Sequence, residues 1–509
     1  MPGCDFTLYD MIARNARLYA GKSAILYGDT RLSFLDYQTR CDQCAAGLIR
    51  DGLTAGDRIA VLSANCADFL VLCGAAAKIG AILVLVNFRL GEGEISYIFQ
   101  DTQPVCIVAS PDHKDMAQKS SLTVPSLRKH YVFNAKDPDD AFLPFETLLV
   151  TTDHPAALPT PPSGSAPCLM IHTAAVGGKP RGCVLSQANL MAAGFQIADL
   201  FKLTNCDCHV GTLPLFHIGG MALTLAAMLR GGGNVIIDRF DPVTVLRQTQ
   251  KEHGTFFCTF PPMLAAILDA QEKQSLDAAS LRSVCGMDSP DTIERFLKNN
   301  PGAAFYSLYG QTEAMPVSGC DVRERPGSIG RPALMTRAAI FDDMDRELAP
   351  GEQGEICVHS PSVFLGYWNL AQDTAHTSRN GWHHTGDRGR IDEVGYLYYL
   401  GRNPEKELIK PGGENVYPAE VEKVILSHGD IEEVAVVGIP DPEWGEAVLA
   451  VCVLKKGRHV NAAELIEFVA SRIARYKKPK QVVFVERLPK KAGGETDREA
   501  VKKICLTRT

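Results

Sequence analysis

The sequence predicts an α/β protein in two parts. One is a large N-terminal domain of helix-covered sheets with a barrel-like portion; the other is a small C-terminal α/β domain. Three observations carry this. Helical patterns alternate with short apolar strands from Phe6 to about Ser110 and again from Gly211 to Tyr309, as in a mostly parallel sheet covered by helices. A chain of 509 residues exceeds what one hydrophobic core organises. From Gly327 to Tyr399 short β runs replace the alternation, and the apolar-poor Gly401-Arg402-Asn403-Pro404-Glu405-Lys406 then precedes Leu408–Thr509, long enough for a separate domain. The expected division is 1–401 and 402–509, with a hinge near 402–406.

In chain order, Gly56–Leu62 reads as a turn and strand, Asp68–Lys78 as a helix and Ala81–Val86 as a strand. Phe69–Val86 is almost apolar enough to span a bilayer, but Lys78 and Gly80 interrupt it. A buried helix running into a β-branched strand fits better than a membrane span. Pro155–Ser165 is a proline- and serine-rich loop. Cys168–Ile171, His172–Gly182 and Cys183–Ser186 read as strand, glycine-rich loop and strand. Gly211–Ile237 gives strand, helix and strand; Thr255–Phe260, Ser283–Gly286 and Ala304–Tyr309 are further strands.

Hydrophobic residues make up 46% of the chain and charged residues 22%, with a net charge of −7. That balance gives no support to a general nucleic-acid or anionic-membrane role. The start lacks a basic stretch followed by an apolar one, so a cytoplasmic location is expected, with the 16 cysteines as free thiols. Cys41 and Cys44 suit one helix face. Cys206, Cys208 and His209 lack a second ligand pair nearby, which disfavours a metal site.

The loop HTAAVGGKPRG, from His172 to Gly182, can aim backbone N–H groups at an anion, because Gly177 and Gly178 reach conformations closed to other residues. Thr173 stands at its lip; Lys179 and Arg181 add positive charge. The Walker spacing is absent, and an ordinary surface hairpin also fits these residues taken alone. Tyr309-Gly310-Gln311-Thr312-Glu313 puts a hydroxyl and a carboxylate at a strand end. One carboxylate suffices for a Mg²⁺ that completes its shell with phosphate and water; Thr312 as a helix N-cap is the alternative. Thr385-Gly386-Asp387 places a carboxylate after a glycine turn, and His217 lies inside an apolar run.

Together, in this order, these strings resemble the adenylate-forming superfamily, in the form of a stand-alone acyl-CoA synthetase. The glycine–proline–basic–glycine end of the family's phosphate loop is kept at Gly178, Pro180, Arg181 and Gly182, while Ala174, Ala175 and Val176 replace its hydroxyl-bearing front. The resemblance implies that Thr312 contacts the α-phosphate of ATP, Glu313 holds Mg²⁺ and Tyr309 stacks on adenine beside Gly310. It gives the ribose to Asp387 and Arg402, the acyl side to His217, and an adenine-flanking loop to Gly286. Lys406 falls at the hinge of a mobile C-terminal domain, and Gly412 and Gly413 line the tunnel for coenzyme A. In the family, a lysine near the C-terminus reaches the α-phosphate. In LPKKAGGETDR its position is taken by Glu495. Losing one such donor costs about 2.7–4 kcal/mol of barrier, and Lys490 and Lys491 are the nearest substitutes.

The implied reaction is two-step: a carboxylic acid and ATP give acyl-AMP and pyrophosphate, then CoA gives acyl-CoA and AMP. Gly219, Gly220, Met221, Met287, Met315 and Val317 suit an apolar acid: fatty, alicyclic or aromatic. The alternatives are an adenylation enzyme loading a carrier protein in trans, or a weakly active nucleotide or acyl-adenylate binder. Oligomeric state is left open.

Overall fold

The computed structural model describes residues 6–135, 141–151, 162–173, 179–402, 408–490 and 496–506. Two large sheets form the body. In the eight-stranded one, Pro167–Thr173, Ile82–Leu85, Arg58–Leu62, Cys106–Ala109, Lys129–Val132 and Leu143–Pro144 run parallel to their neighbours; Arg181–Ser186 then pairs antiparallel to Pro167–Thr173. In the nine-stranded one, Gly233–Ile236, Cys208–Gly211, Phe256–Thr259, Ser283–Gly286 and Ala304–Gln311 lie in parallel order, and Ala314–Asp321 returns antiparallel.

The apolar stretch before Val86 forms the helix Ala67–Ile79, buried on nearly every side, and the strand Ile82–Leu85. Gly80 ends the helix at φ +75°, a left-handed conformation suited to glycine. No helix among the described residues is long and apolar enough to cross a membrane. Its neighbours Leu8–Leu18, Phe34–Arg50 and Gln187–Leu200 begin at Thr7, Ser33 and Ser186, whose hydroxyls accept backbone N–H groups in capping boxes.

The β-rich stretch after Gly327 resolves into a five-stranded antiparallel sheet. It comprises Arg337–Phe341, Gly354–His359, Trp382–Ile391, Ser378–Arg379 and Leu397–Arg402. The smaller C-terminal domain has a three-stranded sheet, Ile431–Asp441, Gly445–Leu454 and Gln481–Phe484, with its own buried core. Helices Pro418–Leu426, Ala462–Ala470 and Arg498–Leu506 accompany it.

Candidate active site

The strand–loop–strand reading holds at both ends of the glycine loop. Thr173 closes the outgoing strand and pairs in register with Arg181, which opens the return. Ala174, Ala175, Val176, Gly177 and Gly178 lie outside the described residues. Thr173 Oγ1 donates to Glu313 Oε1 at 3.0 Å, and the Tyr367 hydroxyl donates to the same oxygen at 2.9 Å. Oε2 carries no hydrogen bond among the described residues. Glu313 is buried, at 6% exposure. Arg181 stacks over the Tyr367 ring at 4.0 Å and donates to its oxygen and to Asp373. Burial, and then the Glu313 carboxylate, push the Tyr367 phenol well above its ordinary value. Lys179 is exposed at the mouth of the loop.

Thr312 and Glu313 turn the hairpin between Ala304–Gln311 and Ala314–Asp321, so the helix start weighed from sequence does not form. Four residues before Glu313, the Tyr309 hydroxyl donates to Asp387 Oδ2 at 2.7 Å. Arg402 Nε donates to the other oxygen at 2.8 Å, and the two residues are cross-strand partners. Asp387 is 3% exposed. Its turn is framed behind: Gly386, at φ +74°, donates its N–H to Glu355 at 2.7 Å, and Thr385 Oγ1 donates to the Ile356 carbonyl. Burial raises the Tyr309 phenol, and Asp387 adds to the shift.

At the third edge, His217 precedes the helix Ile218–Arg230, and its Nε2 lies 3.5 Å from Glu414 Oε2 of the small domain. Asn87 donates to Glu414 at 3.2 Å, and Arg89 forms an ion pair with it. Burial alone would raise the Glu414 carboxyl, but His217 and Arg89 outweigh it and pull it down to about 2. Gly412 and Gly413 take φ +58° and +84°. A Cβ on Gly413 would stand 3.0 Å from the Phe260 ring of the large domain, and one on Gly412 would stand 2.8 Å from Trp444. The glycine pair therefore allows a close backbone approach at the domain seam.

Residues 12–368 match the family model described as AMP-binding enzyme, and 420–495 match its C-terminal domain. The chain belongs to the AMP-binding enzyme family. It is 33% identical to an indoleacetate–CoA ligase of Aromatoleum aromaticum, over 99% of both chains. It is 32% identical to a feruloyl-CoA synthase of Amycolatopsis, over 95% of this chain and 96% of that one. Among solved structures it is similar to an o-succinylbenzoate CoA synthetase of Bacillus subtilis, with a TM-score of 0.85, 27% identity and 97% of each chain covered.

In this member of the AMP-binding enzyme family, hydrogen bonds link Thr173, Glu313, Tyr367 and Arg181 into one group. They link Tyr309, Asp387 and Arg402 into a second, and Gly310 sits in the hairpin strand that joins the two. His217 and the Gly412–Gly413 pair form the seam with the small domain. Gly286 ends its strand at φ +143°, where a Cβ would stand 1.9 Å from the Thr259 carbonyl oxygen; the backbone there tolerates glycine only. Lys406, Lys491 and Glu495 lie outside the described residues. Lys490 pairs with Glu433, and Arg498 with Glu422, both within the small domain. Cys206 is exposed, while Cys208 and His209 are buried in a strand, where His209 Nδ1 meets Asn234 Oδ1 at 3.1 Å. Sequence reading missed Tyr367, Asn87 and Arg89, which carry no motif and matter only for what folding places beside them.

Proposed function

We propose that the protein is an ATP-dependent carboxylic acid–CoA ligase acting on an apolar, aromatic acid. The observation that carries this reading is the joining of a buried carboxylate, Glu313, and a buried Asp387–Arg402–Tyr309 cluster through one hairpin. That arrangement provides a phosphate end and a ribose end for a single nucleotide. The indoleacetate and feruloyl names of two full-length relatives support the aromatic acid.

Asp387 accepts the ribose hydroxyls on its remaining lone pairs, while Arg402 and Tyr309 fix its orientation. Tyr309, Gly310 and Gly286 bound the adenine side. Thr312, Thr173 and Lys179 face the phosphates; Gly177 and Gly178, expected from the sequence to share that role, lie outside the described residues. Glu313 suits Mg²⁺: it is a hard oxygen donor, held through one oxygen by two hydroxyls, with no hydrogen bond to the other oxygen among the described residues. When bound, the ion neutralises charge on the phosphates. His217 borders the acyl carboxylate. The chain holds both reactants in one cleft, and that positioning supplies much of the rate.

The small domain, beginning at 402 with its hinge at 402–406 and including Lys406, then turns. Gly412 and Gly413 line the path of the CoA thiol, whose sulfur displaces AMP from the acyl-adenylate. The fourteen cysteines whose side chains are described are unpaired thiols, which suits a reducing cytoplasm. Pyrophosphate release across a panel of aryl and fatty acids tests the reading. Release with indole- or cinnamate-type acids is expected; no release with any acid at high enzyme concentration rejects it.

A second reading, a weakly adenylating protein, draws support from Glu495 together with the engagement of Lys490 by Glu433. Glu495→Lys decides between them. A gain of about 10²-fold or more in pyrophosphate release marks an intact site throttled by one residue. ATP binding without turnover in both forms favours the binder.

A further inference from the structure

Lys477 is 4% exposed, on a chain whose charged residues are otherwise mostly solvated. It belongs to the small domain, in the short 3₁₀ turn Arg475–Lys477. Its ammonium donates to Glu420 at 2.6 Å, within the same domain, and also to Glu94 of the large domain. Glu94 is held twice from across the seam: its second oxygen accepts the Ala474 N–H at 3.0 Å. That oxygen also accepts the Gly91 N–H at 2.8 Å, capping the helix Glu92–Thr102. Burial pushes the Lys477 ammonium down, and the two carboxylates outweigh it and hold it above its ordinary value.

The arrangement is built to separate. If the domains part, Lys477 leaves with Glu420, and Glu94 keeps its capping bond to Gly91. Neither charge is stranded without a partner, which is the condition that makes breaking a buried pair costly. The contact exists in the orientation that brings Gly413 against Phe260 and Glu414 against His217.

We propose that Lys477 is a positioning residue that pins the small domain, through Glu94, in the orientation used for thioester formation, and that it serves this half-reaction alone. The proposal rests on the two-step ligase reading. It requires no contact between Lys477 and nucleotide, acid or CoA.

The test separates the half-reactions in the full-length protein. Acyl-adenylate formation is measured without CoA, and thioester formation is measured from preformed acyl-adenylate with CoA. Lys477→Met is expected to slow thioester turnover by about tenfold or more, and to leave adenylate formation within about twofold of the unsubstituted chain. Lys477→Arg restores most of the thioester rate. Glu94→Gln shows the same split, and the double variant is no slower than Lys477→Met, because both remove one contact.

Equal slowing of both half-reactions overturns the proposal, as does an unchanged thioester rate. A raised KM for CoA with kcat intact overturns it too, since that marks a CoA-binding lysine. Should Lys477→Met fail to fold, Glu94→Gln carries the test. Hydrogen exchange at the Ala474 amide, expected to quicken in Glu94→Gln, reads the contact independently of activity, and unchanged exchange overturns it. Absence of acyl-adenylate from the unsubstituted chain with every acid sinks the ligase reading itself, and the half-reaction assignment with it.

Discussion

His209 is buried in the strand Cys208–Gly211, stacked on Phe256 and bonded to Asn234. Burial lowers its pKa from 6.5 to about 4, against the Asn234 bond, which raises it. The folded chain therefore keeps a neutral imidazole, while the unfolded chain takes a proton near 6.5. The stability this residue contributes is complete above pH 6.5 and is lost as pH falls toward 4, at up to about 1.4 kcal/mol per unit. Unfolding free energies measured from pH 7 to 4 should fall less steeply in His209→Gln. Asp387 makes a sharper case. Asp387→Ala leaves Arg402 and Tyr309 without their acceptor, and removing one partner of a buried pair costs about 3–5 kcal/mol. Denaturant unfolding reads that loss, and a raised KM for ATP reads the loss of the carboxylate proposed to hold the ribose.

Elements meet closely where side chains are smallest. Gly47, on the helix Phe34–Arg50, faces the turn Phe145–Leu148, and a Cβ there would stand 2.2 Å from the Leu148 carbonyl oxygen. Gly47→Ala would gain helix propensity, but the forced separation wins and costs about 1–3 kcal/mol. A lowered thermal midpoint checks it. The element scale also shows how much was legible. The strand–loop–strand, the Ala67–Ile79 helix and the strand after it follow from apolar periodicity and Gly80. The turn at Thr312 does not, because threonine before a glutamate serves a helix cap and a hairpin equally well. The neighbouring strand Ala314–Asp321 decides it by offering a hydrogen-bonded partner.

Among the described residues, two charged contacts join the domains: Glu94 with Lys477, and Glu414 with Arg89, with His217 Nε2 lying 3.5 Å from the same carboxylate. Glu414→Gln keeps the shape and removes the charge that Arg89 answers and that His217 lies against. The small domain should then be held less firmly, with a larger radius of gyration in X-ray scattering. An unchanged radius would mean that the Glu94–Lys477 contact and the Gly413–Phe260 packing suffice.

The sequence by itself determined the family, the two-part division and the chemistry-bearing strings, since those depend on residue order and local backbone preference. It also raised the expectation that Glu495 stands where the family carries a lysine. Only the tertiary structure decided that Tyr309 and Arg402 share Asp387, that Tyr367 steadies Glu313, and that Glu94 meets Lys477 across 383 positions of chain. Hydrogen bonds and ion pairs depend on distance after folding, and no local pattern encodes which distant charge will arrive.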